Sequence, residues 1–155
     1  MKHDTPLKVL IFDMHPITRK GIRLMLENMA LPMNLTEAAA KHQFYKYLTS
    51  SDFDLVILSV NEPGTFDSRK LSLTLSKTAL LYTEEGAENA IGLMTLGAGA
   101  CMSKKCVDAE LRTGILAVLA RRRHTCLYTR ALTDATHQSA RHFDIHAFHA
   151  QRRFI

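Results

Sequence analysis

The sequence predicts a doubly wound α/β domain, a five-stranded parallel sheet with helices on both faces, followed by a basic C-terminal extension. Three observations carry that prediction. Short apolar, strand-like runs alternate with segments of helical spacing five times before residue 122. Two of the runs, Lys8–Phe12 and Asp54–Leu58, are apolar at almost every position, as strands buried on both faces are. The connections are short, and right-handed crossovers between parallel strands then place helices on both sides of the sheet.

The first run stops at Asp13, and from Pro16 onward Ile17, Gly21, Leu24, Met25 and Met29 recur at helical spacing. Arg19, Lys20, Arg23 and Glu27 fall on the wetter side, and Pro32 follows the helix end. A weak strand over 34–38 leads to a helix around 41–49 that carries Phe44, Tyr47 and Leu48. The strongest strand comes next, closed by the turn signal Asn61-Glu-Pro-Gly64. A short helix from about Ser68 to Ser76 precedes a strand over 78–82, and a helix over 87–96 ends at Gly97, where a left-handed cap suits glycine. A strand over 100–103 and an amphipathic helix over 107–119 complete the body. In such sheets ligands bind beyond the carboxyl ends of the strands, so Asp13, Ser59, Thr83 and Lys104 are expected at one rim.

With 155 residues, 46% of them apolar, the chain can bury one core of domain size and has no room for two enzyme domains. No run approaches the roughly 18 apolar residues of a membrane span. The opening Met-Lys-His-Asp-Thr-Pro is not a signal peptide, and a cytoplasmic protein is expected. Cys101, Cys106 and Cys126 are odd in number and lack Cys-x-x-Cys spacing, which points to free thiols rather than a disulfide framework or a structural zinc site. No Gly-x-Gly-x-x-Gly follows the first strand and no Walker-type loop is present, which disfavours nucleotides.

The net charge of +5 is unevenly placed: Lys and Arg balance Asp and Glu through residue 120, and the whole excess lies in residues 121–155. His124, His137, His142, His146 and His149 lie there too. The chain therefore divides into a body over 1–122 and a basic, His-rich, linker-like tail over 123–155.

Four segments of the body are similar to those of response-regulator receiver domains, in particular those of the NarL/FixJ (LuxR-type) group. They are Ile11-Phe-Asp-Met-His-Pro-Ile17, Asp54-Leu-Val-Ile-Leu-Ser-Val-Asn-Glu-Pro-Gly64, Leu80-Leu-Tyr-Thr83 and Gly97-Ala-Gly-Ala-Cys-Met-Ser-Lys104, in the family's order and spacing. The resemblance implies the flavodoxin-like receiver fold and a bacterial signalling role without enzymatic activity. It also implies that Asp13, Met14 and Ser59 stand where the family holds Mg²⁺ and the phosphoacceptor. Thr83 resembles the hydroxyl that swings to the phosphoryl group, Lys104 the cation beside the acceptor, and Cys101 stands at the switch-aromatic position.

The departures lie in those same positions. Mg²⁺ requires hard oxygen ligands, and the Met14 thioether contributes almost nothing to such a site, which leaves Asp13 as the one rim carboxylate. No cofactor is expected, and Mg²⁺ is not expected to bind tightly. A serine hydroxyl without a general base is a poor nucleophile, so the phosphoacceptor position Ser59 is read as degenerate. Thr83 can equally end a strand through a backbone hydrogen bond, and Lys104 can pair with Asp13. His15 resembles the family's His-Pro, capping the first helix and packing against it.

The tail is too short for the helix-turn-helix domain that the family attaches, so DNA binding by this chain is doubtful. Within it, an extended stretch is expected near 124–128 and a helix near 130–141. Its charge could attract an acidic partner or nucleic acid, and His142, His146 and His149 could capture metal adventitiously. The reading is a degenerate receiver that acts through protein contacts, as a homodimer or with another protein, with a sensor kinase able to dock on the first helix. The alternative is a small-ligand or nucleic-acid binding module on the same scaffold.

Overall fold

The computed structural model describes residues 5–62, 66–106 and 108–142. Strand β1 (Leu7–Phe12) is followed by α1 (Pro16–Glu27), β2 (Met33–Ala38), α2 (Lys41–Ser50) and β3 (Leu55–Val60). Then come α3 (Ser68–Leu71), a turn of 3₁₀-helix (Leu75–Lys77), β4 (Thr78–Tyr82), α4 (Ala87–Thr95), β5 (Ala100–Ser103) and α5 (Asp108–Leu119). Two further elements, β6 (His124–Thr125) and α6 (Leu127–His142), come from the tail. All pairings are parallel, in the order β2-β1-β3-β4-β5-β6.

The sheet sorts its side chains with period two, as the pleat requires. Leu10, Phe12, Val56, Leu58, Leu80, Tyr82 and Cys101 face one core, which α2, α3 and α4 cover with Phe44, Leu71, Ala90 and Leu93. Val9, Ile11, Leu55, Ile57, Ala79, Leu81, Ala100 and Met102 face the other, under Ile22 and Leu26 of α1 and Ile115 and Val118 of α5. Every residue of β3 and β4 is buried, which is why these runs carry almost no polar residues. Gly114 lets α5 lie directly on β5, because a Cβ there would sit 2.2 Å from Met102 Sδ. Gly97 leaves α4 at φ 122°, a conformation that glycine adopts without penalty.

Three expectations are corrected. The sheet has six strands rather than five: β6 lies along β5, with His124 N donating to Gly99 O at 3.0 Å and Cys126 N donating to Cys101 O at 3.3 Å. The extended stretch and the helix expected in the tail are present as His124–Thr125 and Leu127–His142, and the first pairs because the edge of β5 offers unpaired backbone groups to the chain that follows α5. The helix expected over 68–76 is only one turn, Ser68–Leu71, followed by the 3₁₀ turn. Strand β3 runs on to Val60, so Ser59 lies inside it rather than beyond its end.

The tail is anchored by polar groups as well as by the strand. Buried Thr129 of α6 shares hydrogen bonds with the Tyr82 hydroxyl (2.8 Å) and with Cys126 Sγ (3.1 Å). Arg123 donates to Met94 O at the end of α4, Arg130 donates to Thr125 O at 3.1 Å, and His124 faces Glu110 of α5 at 3.4 Å. His146 and His149 lie outside the described residues.

Candidate functional site

The carboxyl ends of β1, β3 and β4 and the start of the turn after β5 bring Asp13, Asn61, Thr83 and Lys104 together. Asp13 follows β1 directly and is fully buried. Its Oδ2 accepts a 2.6 Å hydrogen bond from Lys104 Nζ, and its Oδ1 accepts one from the His15 amide at 2.8 Å. Its backbone carbonyl accepts a further bond from Arg19 at 2.8 Å. Lys104 Nζ reaches Asn61 Oδ1 at the same 2.6 Å, while Asn61 O accepts from the Thr83 hydroxyl at 3.0 Å. Backbone bonds complete the ring, Lys104 N to Tyr82 O and Thr83 N to Val60 O.

The electrostatics of Asp13 follow from this ring. Burial alone would push its carboxyl up. The Lys104 ammonium, the nearby Ser59 hydroxyl and the His15 amide outweigh burial and hold it at about 2. The group is thereby held as a carboxylate against the Lys104 side chain.

His15 occupies the N-cap position of α1 but makes no side-chain cap; its Nδ1 lies 3.0 Å from Asp13 Oδ1 and the ring is largely solvent-facing. The capping expected of it is therefore absent, and the carboxylate of Asp13 serves the exposed amide instead. Met14 is exposed (43%) and makes no hydrogen bond within the ring that Asp13 joins. Ser59 is 2% exposed, and its Oγ is close to Asp13 without completing a hydrogen bond to any protein group. The cavity beside it, between Met14, Lys41, Asn61 and Phe66, measures about 20 Å³, space for a single water.

Cys101 is fully buried on the α4 side, and burial pushes its thiol up to about 12, so it behaves as an apolar side chain. Asn61 and Arg19 are the members of this site that sequence reasoning did not single out. Asn61 is legible only as a turn residue, and Arg19 as one charge on the wet side of a helix.

The family resemblance implies a Mg²⁺ site here, and the residues do not fit one. Asp13 already spends one oxygen on the Lys104 side chain at 2.6 Å and the other on His15, the second acidic position holds an exposed thioether, and Glu62 on the lining of the small cavity beside Ser59 is the other nearby carboxylate. Among the described residues no group of three or more His, Cys, Asp or Glu side chains could hold a metal ion.

No protein-family model matches the sequence, and no curated protein matches it significantly. Solved structures do match. The RcsB response regulator of Salmonella typhimurium, studied for its DNA interaction, superposes with a TM-score of 0.68 at 18% identity, covering 84% of this chain. The chain spans 66% of that regulator's length. A LuxR-family two-component response regulator from an Aurantimonas species gives a TM-score of 0.66 at 23% identity, covering 82% of this chain and 94% of that one. The isolated receiver domain of Salmonella enterica RcsB with phosphomimetic BeF₃⁻ gives 0.66 at 18%, covering 83% and 99%. At these identities the likeness establishes the fold: this chain has the response-regulator receiver fold. No helix among the described residues is long and apolar enough to cross a membrane.

Proposed function

We propose that this chain is a degenerate receiver domain of a bacterial, cytoplasmic two-component regulator, working by protein contacts without phosphorylation. The observation that carries the reading is the rim itself. A serine stands in the acceptor position, and the Lys104 side chain, bonded to Asp13 and Asn61, engages the carboxylate that a metal ion would need. Phosphoryl transfer depends on cationic clamps and an ionised acceptor, and this rim offers neither a free metal position nor a carboxylate at residue 59.

Regulation then runs through surfaces. Helix α1 exposes Ile17 (86%) and Leu24 (59%), apolar residues suited to a second copy of the chain or to another protein such as a sensor kinase. Transcriptional control would be exerted through such a partner rather than through DNA contacts of this chain.

The test is intact mass spectrometry after incubation with Mg²⁺ and a small acyl phosphate, alongside light scattering. The expected result is no phosphoryl adduct and an unchanged mass in solution; an adduct on Asp13 or Ser59 with a change in assembly overturns the reading. The variant Met14→Asp/Ser59→Asp serves as the positive arm, regaining an adduct if these two side chains are all that the chemistry lacks.

A second reading is favoured by one feature. A cleft of about 470 Å³ lies between α4 and the β6–α6 segment, floored by Ile91 and Met94 and flanked by Arg123 and Arg130, neither of which has an ion-pair partner among the described residues. Such a cleft suits a small organic anion, which would raise the melting temperature in proportion to its occupancy.

A further inference from the structure

The cleft between α4 and the tail is lined by charges of both signs that the fold leaves unspent. Arg130 and Asp134 both line it, four residues apart on α6, where opposite charges ordinarily meet. They do not pair. The Nε of Arg130 donates instead to Thr125 O at 3.1 Å and to Thr125 Oγ1 at 3.3 Å. The Asp134 carboxylate is exposed and has no ion-pair partner among the described residues. Arg123, just ahead of β6, is fixed in the same manner by its bond to Met94 O. Each guanidinium is thus anchored through one nitrogen, with its remaining donors left to a ligand. The neighbouring hydroxyls are already used, since Thr95 donates to Ile91 O and Thr133 to Thr129 O, both at 3.0 Å.

We propose that this cleft binds an α-amino acid with an apolar side chain. A ligand with only negative charge meets Asp134 as a like charge, and one with only positive charge meets two guanidiniums. A zwitterion satisfies all three: its carboxylate engages Arg123 and Arg130, and its ammonium engages Asp134. The apolar side chain then lies on the floor of Ile91 and Met94, and about 470 Å³ leaves room for one the size of leucine's. The inference rests on the cleft reading proposed above and narrows its organic anion to the carboxylate of an amino acid.

Binding there has a consequence for the tail. The floor belongs to α4, whereas Arg130 and Asp134 belong to α6, which is otherwise held by a two-residue strand and a few polar bonds. Contacts to both walls exist only while α6 lies beside α4, so an occupied cleft favours the docked tail over any conformation in which it opens. The amino acid thereby acts as a clamp between the body and its extension.

The experiment is calorimetric titration of the full chain with L-leucine, with isocaproate, which lacks the ammonium, and with isopentylamine, which lacks the carboxylate. Leucine should bind about tenfold more tightly than isocaproate, and isopentylamine should not bind measurably. Asp134→Asn alters an exposed side chain without an ion pair, so its circular dichroism should match the parent's while leucine loses its advantage over isocaproate. Leucine should also shift the methyl resonances of Ile91 and Met94 and slow amide exchange along α6. Isocaproate binding as tightly as leucine, with both weakened by Arg130→Gln, would overturn the amino-acid inference and leave the organic-anion reading standing. Silence from leucine and isocaproate alike would overturn both. Leucine binding that ignores Asp134→Asn, or that leaves the Ile91 and Met94 methyls unshifted, would overturn the proposed site.

Discussion

Two polar clusters sit within a few residues of each other along the sheet, and they are built on opposite principles. The rim at Asp13, Asn61 and Lys104 is ionic: a buried carboxylate is neutralised by an ammonium at 2.6 Å, and each partner is further hydrogen-bonded. The joint at Tyr82, Cys126 and Thr129 is made of hydroxyls and thiols, with no full charge in the network. Burying an unpaired charge costs far more than burying an unpaired hydroxyl. The rim is consequently the part of the molecule that cannot lose a member, and the joint is the part that can open or change its bonding while the sheet stays folded.

The largest effect should follow from removing the cation of the rim. Lys104→Met leaves the Asp13 carboxylate buried without its counter-charge and should lower stability by about 3 kcal/mol in urea denaturation. The double variant Lys104→Met/Asp13→Asn should recover most of that loss. A single variant as stable as the parent would show that the rim is not held by this pair.

Acid should reach the same group next. The folded-state pKa of Asp13, about 2, lies below its ordinary value of 3.8, so its contribution is fully present above pH 4 and is lost as pH falls through 2. The magnitude is about 2 kcal/mol. Stability measured across that interval should steepen in the parent and lose this component in Asp13→Asn. Equal slopes for the two proteins would contradict the assignment.

At the joint, Thr129→Val keeps the side-chain shape and deletes the hydroxyl that serves both Tyr82 and Cys126. The cost should be about 1 to 2 kcal/mol. Hydrogen exchange should report it along α6 with little change in β3 and β4. A uniform loss of protection would mean that α6 and the sheet unfold as one unit, which erases the contrast drawn between the two clusters.

The smallest effect belongs to Met14→Asp. The side chain is 43% exposed and outside the ring of bonds, so stability should change by less than about 0.5 kcal/mol. A larger loss in thermal melting would place Met14 inside the rim's energetics.

Strands β1, β3 and β4 are legible because each is a dense apolar run bounded by a charged or polar residue. Asp13 after Phe12 and Asn61 after Val60 mark where burial ends. The pairing of Lys104 with Asp13 was one of two readings that the residues allowed, and the 2.6 Å contact now decides it. Asn61 escaped notice because its role arises only when β1, β3 and the turn after β5 converge, from residues 43 and 91 positions apart in the chain. The extended stretch near 124–128 was legible but its pairing was not, for a related reason: what makes His124-Thr125 a strand is the open edge of β5 beside it.

By itself, then, the sequence determined the alternation of strands and helices, the two-sided burial of β1 and β3, and a thioether and a hydroxyl at residues 14 and 59. These are local properties, written in the spacing and chemistry of neighbouring residues. Tertiary structure alone decided that the Lys104 side chain joins Asp13 to Asn61, that the tail's extended stretch pairs with the edge of β5, and that Thr129 bonds to both Tyr82 and Cys126. Each of these depends on which side of the sheet a residue faces and on which distant segment closes over it, and no window of sequence contains both halves of such a contact.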